Sequence, residues 1–193
     1  MRLWENKGRV GPMPHWGKQQ VVIEYIQRLK PEVFIETGTY KGKMVYAVIP
    51  YIEEIYSIEL DDTHAKNAQA RFAAYPSVHI IQGESGTVLE ALLETIDKRC
   101  LFWLDAHYSG GSTAKGQIKT PIMQEMQCIL EHPRAQEHTI LIDDARCFIG
   151  ENDYPPLEYL QRFIQQIHPR WIFQVRDDII RVHFDRSGEG AYQ

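Results

Sequence analysis

The sequence predicts an α/β fold: a Rossmann-like, seven-stranded, mostly parallel sheet with an antiparallel C-terminal hairpin and helices on both faces. Two patterns predict it. Short apolar runs rich in β-branched residues, "VFIET", "EIYSIEL", "VHIIQGE", "CLFWLDAHY" and "HTILIDDA", alternate along the chain with segments of helical spacing. Such strand–helix repeats build parallel sheets, because a crossover that returns to the same edge needs a helix to cover the distance. The chain then closes on "RWIFQVRDDIIRVHF", two period-two runs joined at Asp177 and Asp178, as a tight hairpin requires. The 193 residues suffice for one sizeable core, and no repeat, low-complexity tract or linker divides them. A single domain over 1–193 is expected, with an arm and helix in 1–30, a central unit in 33–148 and a last helix and hairpin in 155–185.

In chain order, "GPMPHWGKQQ" reads as a proline- and glycine-bearing arm and "QVVIEYIQRL" as a helix before the first strand. After that strand, "KMVYAVIPYI" keeps helical spacing until Pro50 ends it. The segment "DTHAKNAQARFAAY" is alanine-rich and amphipathic. "SGTVLEALLETI" opens on Ser85 as a helix cap, and "TPIMQEMQCILEH" places Thr120 at a cap position and Pro121 at the first helical position.

Composition narrows the function classes. The apolar share of 44% and charged share of 24% are those of a soluble globular chain. No run approaches the roughly 18 apolar residues that a membrane span needs. The start, "MRLWENKGRV", is not followed by an apolar stretch of the secretory kind, so a cytoplasmic location is expected. Cys100, Cys128 and Cys147 are odd in number and flanked by apolar residues, which suits reduced core thiols. A net charge of -5 offers phosphate backbones no general attraction, so neither nucleic acid nor membrane is an expected partner.

Ligands of open α/β sheets bind beyond the carboxyl ends of the strands, and here those ends are acidic. Glu36, Glu59, Glu84, Asp105, Asp143 and Asp144 fall at or just past five successive strand candidates. Any one of them could be a helix cap or a solvated loop acid, but a whole rim of them suggests a site. After Glu36, the turn "TGTYKG" has Gly38 and Gly42, which allow a tight turn and close approach to a ligand. Glu59 follows at the end of the second strand, about 20 residues on, where a carboxylate commonly holds a ribose diol. The turn is neither G-x-G-x-x-G nor a Walker phosphate loop.

With "ETGTYKG", "YSIEL" and "GES" in these positions, the chain resembles the class I S-adenosylmethionine-dependent methyltransferases over roughly Val33 to Phe148. The resemblance is nearest to the small metal-dependent O-methyltransferases of the catechol, caffeoyl-CoA and sugar-modifying types. By it, Glu36, Gly38, Thr39 and Gly42 would line the methionine end of the cofactor together with Asp105. Glu59 would hold the ribose hydroxyls, and Gly83, Glu84 and Ser85 would border the adenine. Asp105 in "WLDAHY" and the pair Asp143 and Asp144 in "LIDDAR" end neighbouring strands about 4.8 Å apart. Their oxygen-only donors would suit Mg²⁺, or Mn²⁺ or Ca²⁺, better than zinc, and the metal-dependent enzymes carry similar acids there. The other reading is that Asp144 caps a turn and Asp105 only hydrogen-bonds.

The segment departs from those enzymes too. The glycine-rich "SGGSTAKGQIK" is inserted after Asp105, as a candidate lid, and the lysine that catechol-type enzymes place soon after the first acid is replaced by His107 and Tyr108, with Lys115 further on. His107 is the candidate general base, about 6.6 Å along the strand from Asp105 and on the same side. The expected function is divalent-metal-assisted methyl transfer from S-adenosylmethionine to a small hydroxylated acceptor such as a sugar, with a homodimer as the candidate assembly. The alternatives are a metal-dependent hydrolase built on Asp105, His107, Asp143 and Asp144, or a cofactor-binding module without turnover.

Overall fold

A computed structural model describes residues 11–106 and 120–185 of the chain. Helix α1 (His15–Leu29) leads into β1 (Val33–Thr37), followed by α2 (Lys43–Val48), β2 (Glu54–Glu59), α3 (Asp62–Phe72), β3 (Val78–Gln82), α4 (Ser85–Leu93) and β4 (Cys100–Leu104). Beyond the second described segment's start come α5 (Ile122–Glu131), β5 (Thr139–Ile142), α6 (Leu157–Ile167), β6 (Trp171–Arg176) and β7 (Ile179–Phe184). The strands form one sheet in the order β3-β2-β1-β4-β5-β7-β6. Strands β1 to β5 are parallel, and β7 runs antiparallel between β5 and β6, so the sheet has the predicted class. Strand order reverses direction between β1 and β4, which opens a crevice at their carboxyl ends.

Period-two alternation divides the buried side chains between two layers. On β4, Leu101 and Trp103 pack with Val22, Val45 and Phe72 from α1, α2 and α3. Cys100, Phe102 and Leu104 face the other way, onto Leu89, Met126 and Leu160 of α4, α5 and α6. All five β4 residues are therefore buried, as a central strand covered on both faces demands. The turn between β6 and β7 is the two residues Asp177 and Asp178, both left-handed at φ 54 and 61, which matches the twist of a tight hairpin.

Helix boundaries differ from the expected ones at several prolines and at Ser85. Helix α1 begins at His15, inside the expected arm, because Pro14 in extended geometry precedes it. Ser85 is the first helical residue and Glu84 the cap, without a side-chain bond. Pro121, not Thr120, holds the cap of α5, and its carbonyl accepts from the N–H of Gln124 and Glu125. Pro50 lies within a 3₁₀ turn, Ile49–Tyr51, that extends α2, since a proline in a first turn lacks only an N–H that would be unpaired there.

At the amino ends of β4 and β5, two histidines form a hydrogen-bonded network. The Cys100 N–H donates to Nδ1 of His138, so His138 carries its proton on Nε2 and donates to Nδ1 of His132 at 3.0 Å. His132 in turn donates from Nε2 to the Ile96 carbonyl. Burial, and then His132 beside it, pushes the His138 pKa down to about 4. The unfolded chain protonates near 6.5, so this stabilisation is complete above pH 6.5 and declines as the pH falls from there to about 4. The decline should amount to about 3 kcal/mol. His138→Asn keeps an acceptor for Cys100 but does not titrate, so melting between pH 7 and 4.5 should show a shallower acid slope. Equal slopes in both proteins would remove this role.

Candidate active site

Parallel register aligns the strand ends. Thr37 pairs with Ile58 and with Leu104, and Leu104 with Ile142. One residue further, Glu59, Gly38, Asp105 and Asp143 stand in a row across the edge. The ladder continues into this row: the N–H of Gly38 donates to the Ile58 carbonyl, that of Asp105 to Thr37 and that of Asp143 to Leu104. A cleft opens above it. Gly38, Ile58, Glu59, Leu60, Gly83 and Ser85 line it on the β2 and β3 side, and Lys18, Asp105, Ala106, Asp144 and Arg146 on the β4 and β5 side, with Tyr40 and Pro12 also in the lining.

The residues expected in the site take different positions. Glu59 lies in the cleft wall, 7% exposed. Its Oε2 accepts the Tyr40 N–H at 2.6 Å and its Oε1 the Asp61 N–H at 2.9 Å, so it ties the β1 and β2 loops together. Gly38 forms the floor, and a Cβ there would lie 2.5 Å from the Asp105 carbonyl oxygen. Glu36 is fully buried below the cleft and does not line it. Thr39 and Ser57 are linked by a 2.6 Å hydrogen bond, and Ser57 donates to Glu36. Burial, opposed by that bond and reinforced by Asp105 and Glu59, pushes the Glu36 pKa well above the usual carboxylate range. Gly42 stands at the left-handed start of α2, and a Cβ on it would meet the Phe72 ring at 2.6 Å; both the backbone conformation and the packing call for glycine there. Glu84 caps α4 beside Gly83 and Ser85. His107, Tyr108 and Lys115 lie outside the described residues.

Among the described residues, carboxylate oxygens of Asp105, Asp143 and Asp144 lie within 4.8 Å of one another, the convergence expected of three acids on adjacent strand ends. Asp144 adopts left-handed geometry at φ 54 and ψ 45, and the Asp143 Oδ1 accepts its N–H at 2.8 Å. Two basic residues that sequence reasoning missed reach the trio. Lys18 of α1 pairs with Oδ2 of Asp143 and lies 3.3 Å from Oδ1 of Asp144. Arg146 bonds Asp144 at 2.8 Å and also pairs with Asp178 of the hairpin turn. Burial, with Asp105 and Asp144 nearby, pushes the Asp143 pKa well above the carboxylate range, and Lys18 opposes this. The ammonium of Lys18 is held charged by the same acids, against its own burial. Nothing local marks Lys18, which stands in the proline- and glycine-bearing segment "GPMPHWGKQQ".

This sheet order and topology are those of the methyltransferase fold, as comparison with solved structures shows. The chain is similar to the S-adenosylhomocysteine-bound methyltransferase PaMTH1 of Podospora anserina, with a TM-score of 0.63 and 18% identity over 94% of this chain and 86% of that one. An O-methyltransferase of Bacillus cereus in complex with S-adenosylhomocysteine gives 0.63 at 12% identity, covering 95% and 88%. A putative rRNA methylase of Clostridium thermocellum gives 0.58 at 14%, covering 84% and 94%. No family model matches the sequence, and no curated protein matches it. At these identities the likeness establishes the fold. Because that fold also occurs in a protein named for rRNA, the expectation of no nucleic-acid partner rests on the chain's charge alone. No helix among the described residues is long and apolar enough to cross a membrane.

The cleft suits an adenosyl cofactor chemically. The Glu59 carboxylate can accept from a vicinal diol, Ile58 and Leu60 supply apolar wall for a base, and the backbone at Gly83 and Ser85 supplies an edge. The acid trio suits a hard divalent ion by donor type. Lys18, however, already pairs with two of these three acids, Asp143 and Asp144.

Proposed function

We propose that this chain is an S-adenosylmethionine-dependent methyltransferase that methylates an oxygen of a small hydroxylated acceptor, such as a sugar. The observation that carries this reading is the single row of Glu59, Gly38, Asp105 and Asp143 beneath one cleft at the β1/β4 switch point. S-adenosylmethionine would supply an electrophilic methyl on a sulfonium. Glu59 would take the ribose hydroxyls, while Gly83, Glu84 and Ser85 would border the adenine. Gly38 and Thr39 would run beneath the methionine end, with Glu36 holding their loop from below through Ser57. On the other side of Gly38, the polar half of the cleft would hold the acceptor, with Asp105 orienting its hydroxyl and His107 removing its proton. A polar rim of this kind favours a hydroxylated metabolite over a large apolar one, and the net charge of -5 disfavours RNA.

S-adenosylhomocysteine is expected to raise the melting temperature by about 5–10 °C at 100 times its dissociation constant, since such saturation adds about 2.7 kcal/mol. Radiolabelled methyl transfer to a panel of sugars, catechols and RNA would then identify the acceptor. Absence of any shift at millimolar ligand would remove the methyltransferase reading, and transfer to RNA alone would remove the small acceptor.

A further inference from the structure

We infer that Lys18 is a built-in cation that takes the place of a divalent ion in the Asp105, Asp143 and Asp144 cluster, so that the site works without a metal. Both oxygens of Asp143 are engaged, Oδ1 by the N–H of Asp144 and Oδ2 by Lys18. Oδ1 of Asp144 is shared by Lys18 and Arg146. An ion bridging these two carboxylates would have to evict an ammonium whose side chain is only 13% exposed. It would also approach a guanidinium already bonded to the same acid.

Helix geometry makes the placement of Lys18 informative. Lys18 stands near the start of α1, a 15-residue helix whose first turn has no acidic residue and whose cap makes no side-chain bond. A cation at that end opposes the helix dipole, so its position there is compensated by the two carboxylates it pairs with, Asp143 and Asp144, and by the charge of Asp105 nearby. The helix is fixed in turn, since Gln19 donates to the Lys43 carbonyl at the start of α2, and Val22 and Ile26 are buried against the sheet. Lys18 is thus carried on a packed element. Lys18 and Arg146 are already seated on the oxygens of Asp143 and Asp144 that an ion would need, so a divalent ion would have to dehydrate beside two fixed cations. Because Lys18 and Asp105 both line the cleft, the same ammonium would offer a hydrogen bond and positive charge to the acceptor oxygen. This last role rests on the proposed methyltransferase reading; the exclusion of metal does not.

The test is a Mn²⁺ titration followed by electron paramagnetic resonance and calorimetry, without cofactor or acceptor. Wild-type protein should bind no Mn²⁺ up to about 1 mM. Lys18→Met should bind one ion per chain at least about a hundredfold more tightly, and Asp143→Asn in that background should abolish the new site. Lys18→Arg should exclude the ion as wild type does. Should Lys18→Met fail to fold, Lys18→Gln serves the same comparison. One tight Mn²⁺ in the wild type overturns the inference. So does a folded Lys18→Met or Lys18→Gln protein that binds none, since Lys18 would then not be what holds the ion's place. Because no methyl transfer is measured, failure here is distinct from failure of the S-adenosylhomocysteine shift.

Discussion

Gly38→Ala is expected to destabilise the protein by about 3–5 kcal/mol and to abolish measurable cofactor binding. Two separate costs act at this position. Gly38 has φ +89, a conformation that L side chains rarely adopt. A Cβ would also lie 2.5 Å from the oxygen and 2.9 Å from the carbon of the Asp105 carbonyl. Both are backbone atoms just past the end of β4, so no side chain can swing aside, and relief requires the chain ends of β1 and β4 to part at the crevice. Gly150→Ala separates the costs: Gly150 has φ +87, yet its Cβ would meet only the Pro156 ring at 3.4 Å. The control should cost about 1 kcal/mol, or a few degrees of melting temperature against roughly 10 °C for Gly38→Ala. Equal melting shifts in the two variants would show that contact between Gly38 and Asp105 does not matter. Retained S-adenosylhomocysteine affinity in Gly38→Ala would detach this turn from the cofactor site.

The second large effect is expected at Glu59. Glu59→Ala should lower S-adenosylhomocysteine affinity by at least about a hundredfold, since it deletes the proposed ribose acceptor and leaves the Tyr40 and Asp61 N–H groups without their partner. Each lost charge-assisted bond is worth about 1.5–3 kcal/mol, so melting temperature should fall as well. Glu59→Gln distinguishes loop from ligand. Its carbonyl oxygen can serve one backbone N–H, while its amide nitrogen faces the other donor, so it should recover part of the stability but little of the affinity. The measurement is calorimetric titration of each folded variant alongside its melting curve. Wild-type affinity in Glu59→Ala would reduce Glu59 to a loop clamp.

Both residues belong to motifs legible in the sequence, yet they differ from neighbours that looked equivalent. Glu36 and Glu59 each end a β-branched run and each precede a turn. Register separates them: Glu36 lies inside the ladder opposite Ser57 and is sealed beneath the cleft, whereas Glu59 pairs with Gln82 at the ladder's last step and reaches the wall. Gly38 and Gly42 read as a pair in the sequence, but one underlies the cleft and the other makes room for Phe72.

By itself the sequence determined the α/β class, the order of strands and helices, the two-residue hairpin turn and the acidic strand ends. All of these are local: hydrophobic period and turn chemistry act over a few residues and need no knowledge of the rest of the chain. Tertiary structure decided which strands became neighbours, and with that the placing of β4 beside β1 that aligns Gly38 with Asp105. It also decided that the acid trio would meet Lys18, a residue 125 positions away from Asp143. A lysine in a proline-bearing segment has no local feature that marks it as a partner. Its role arises only when α1 packs over the sheet and a buried carboxylate cluster requires a positive charge within reach.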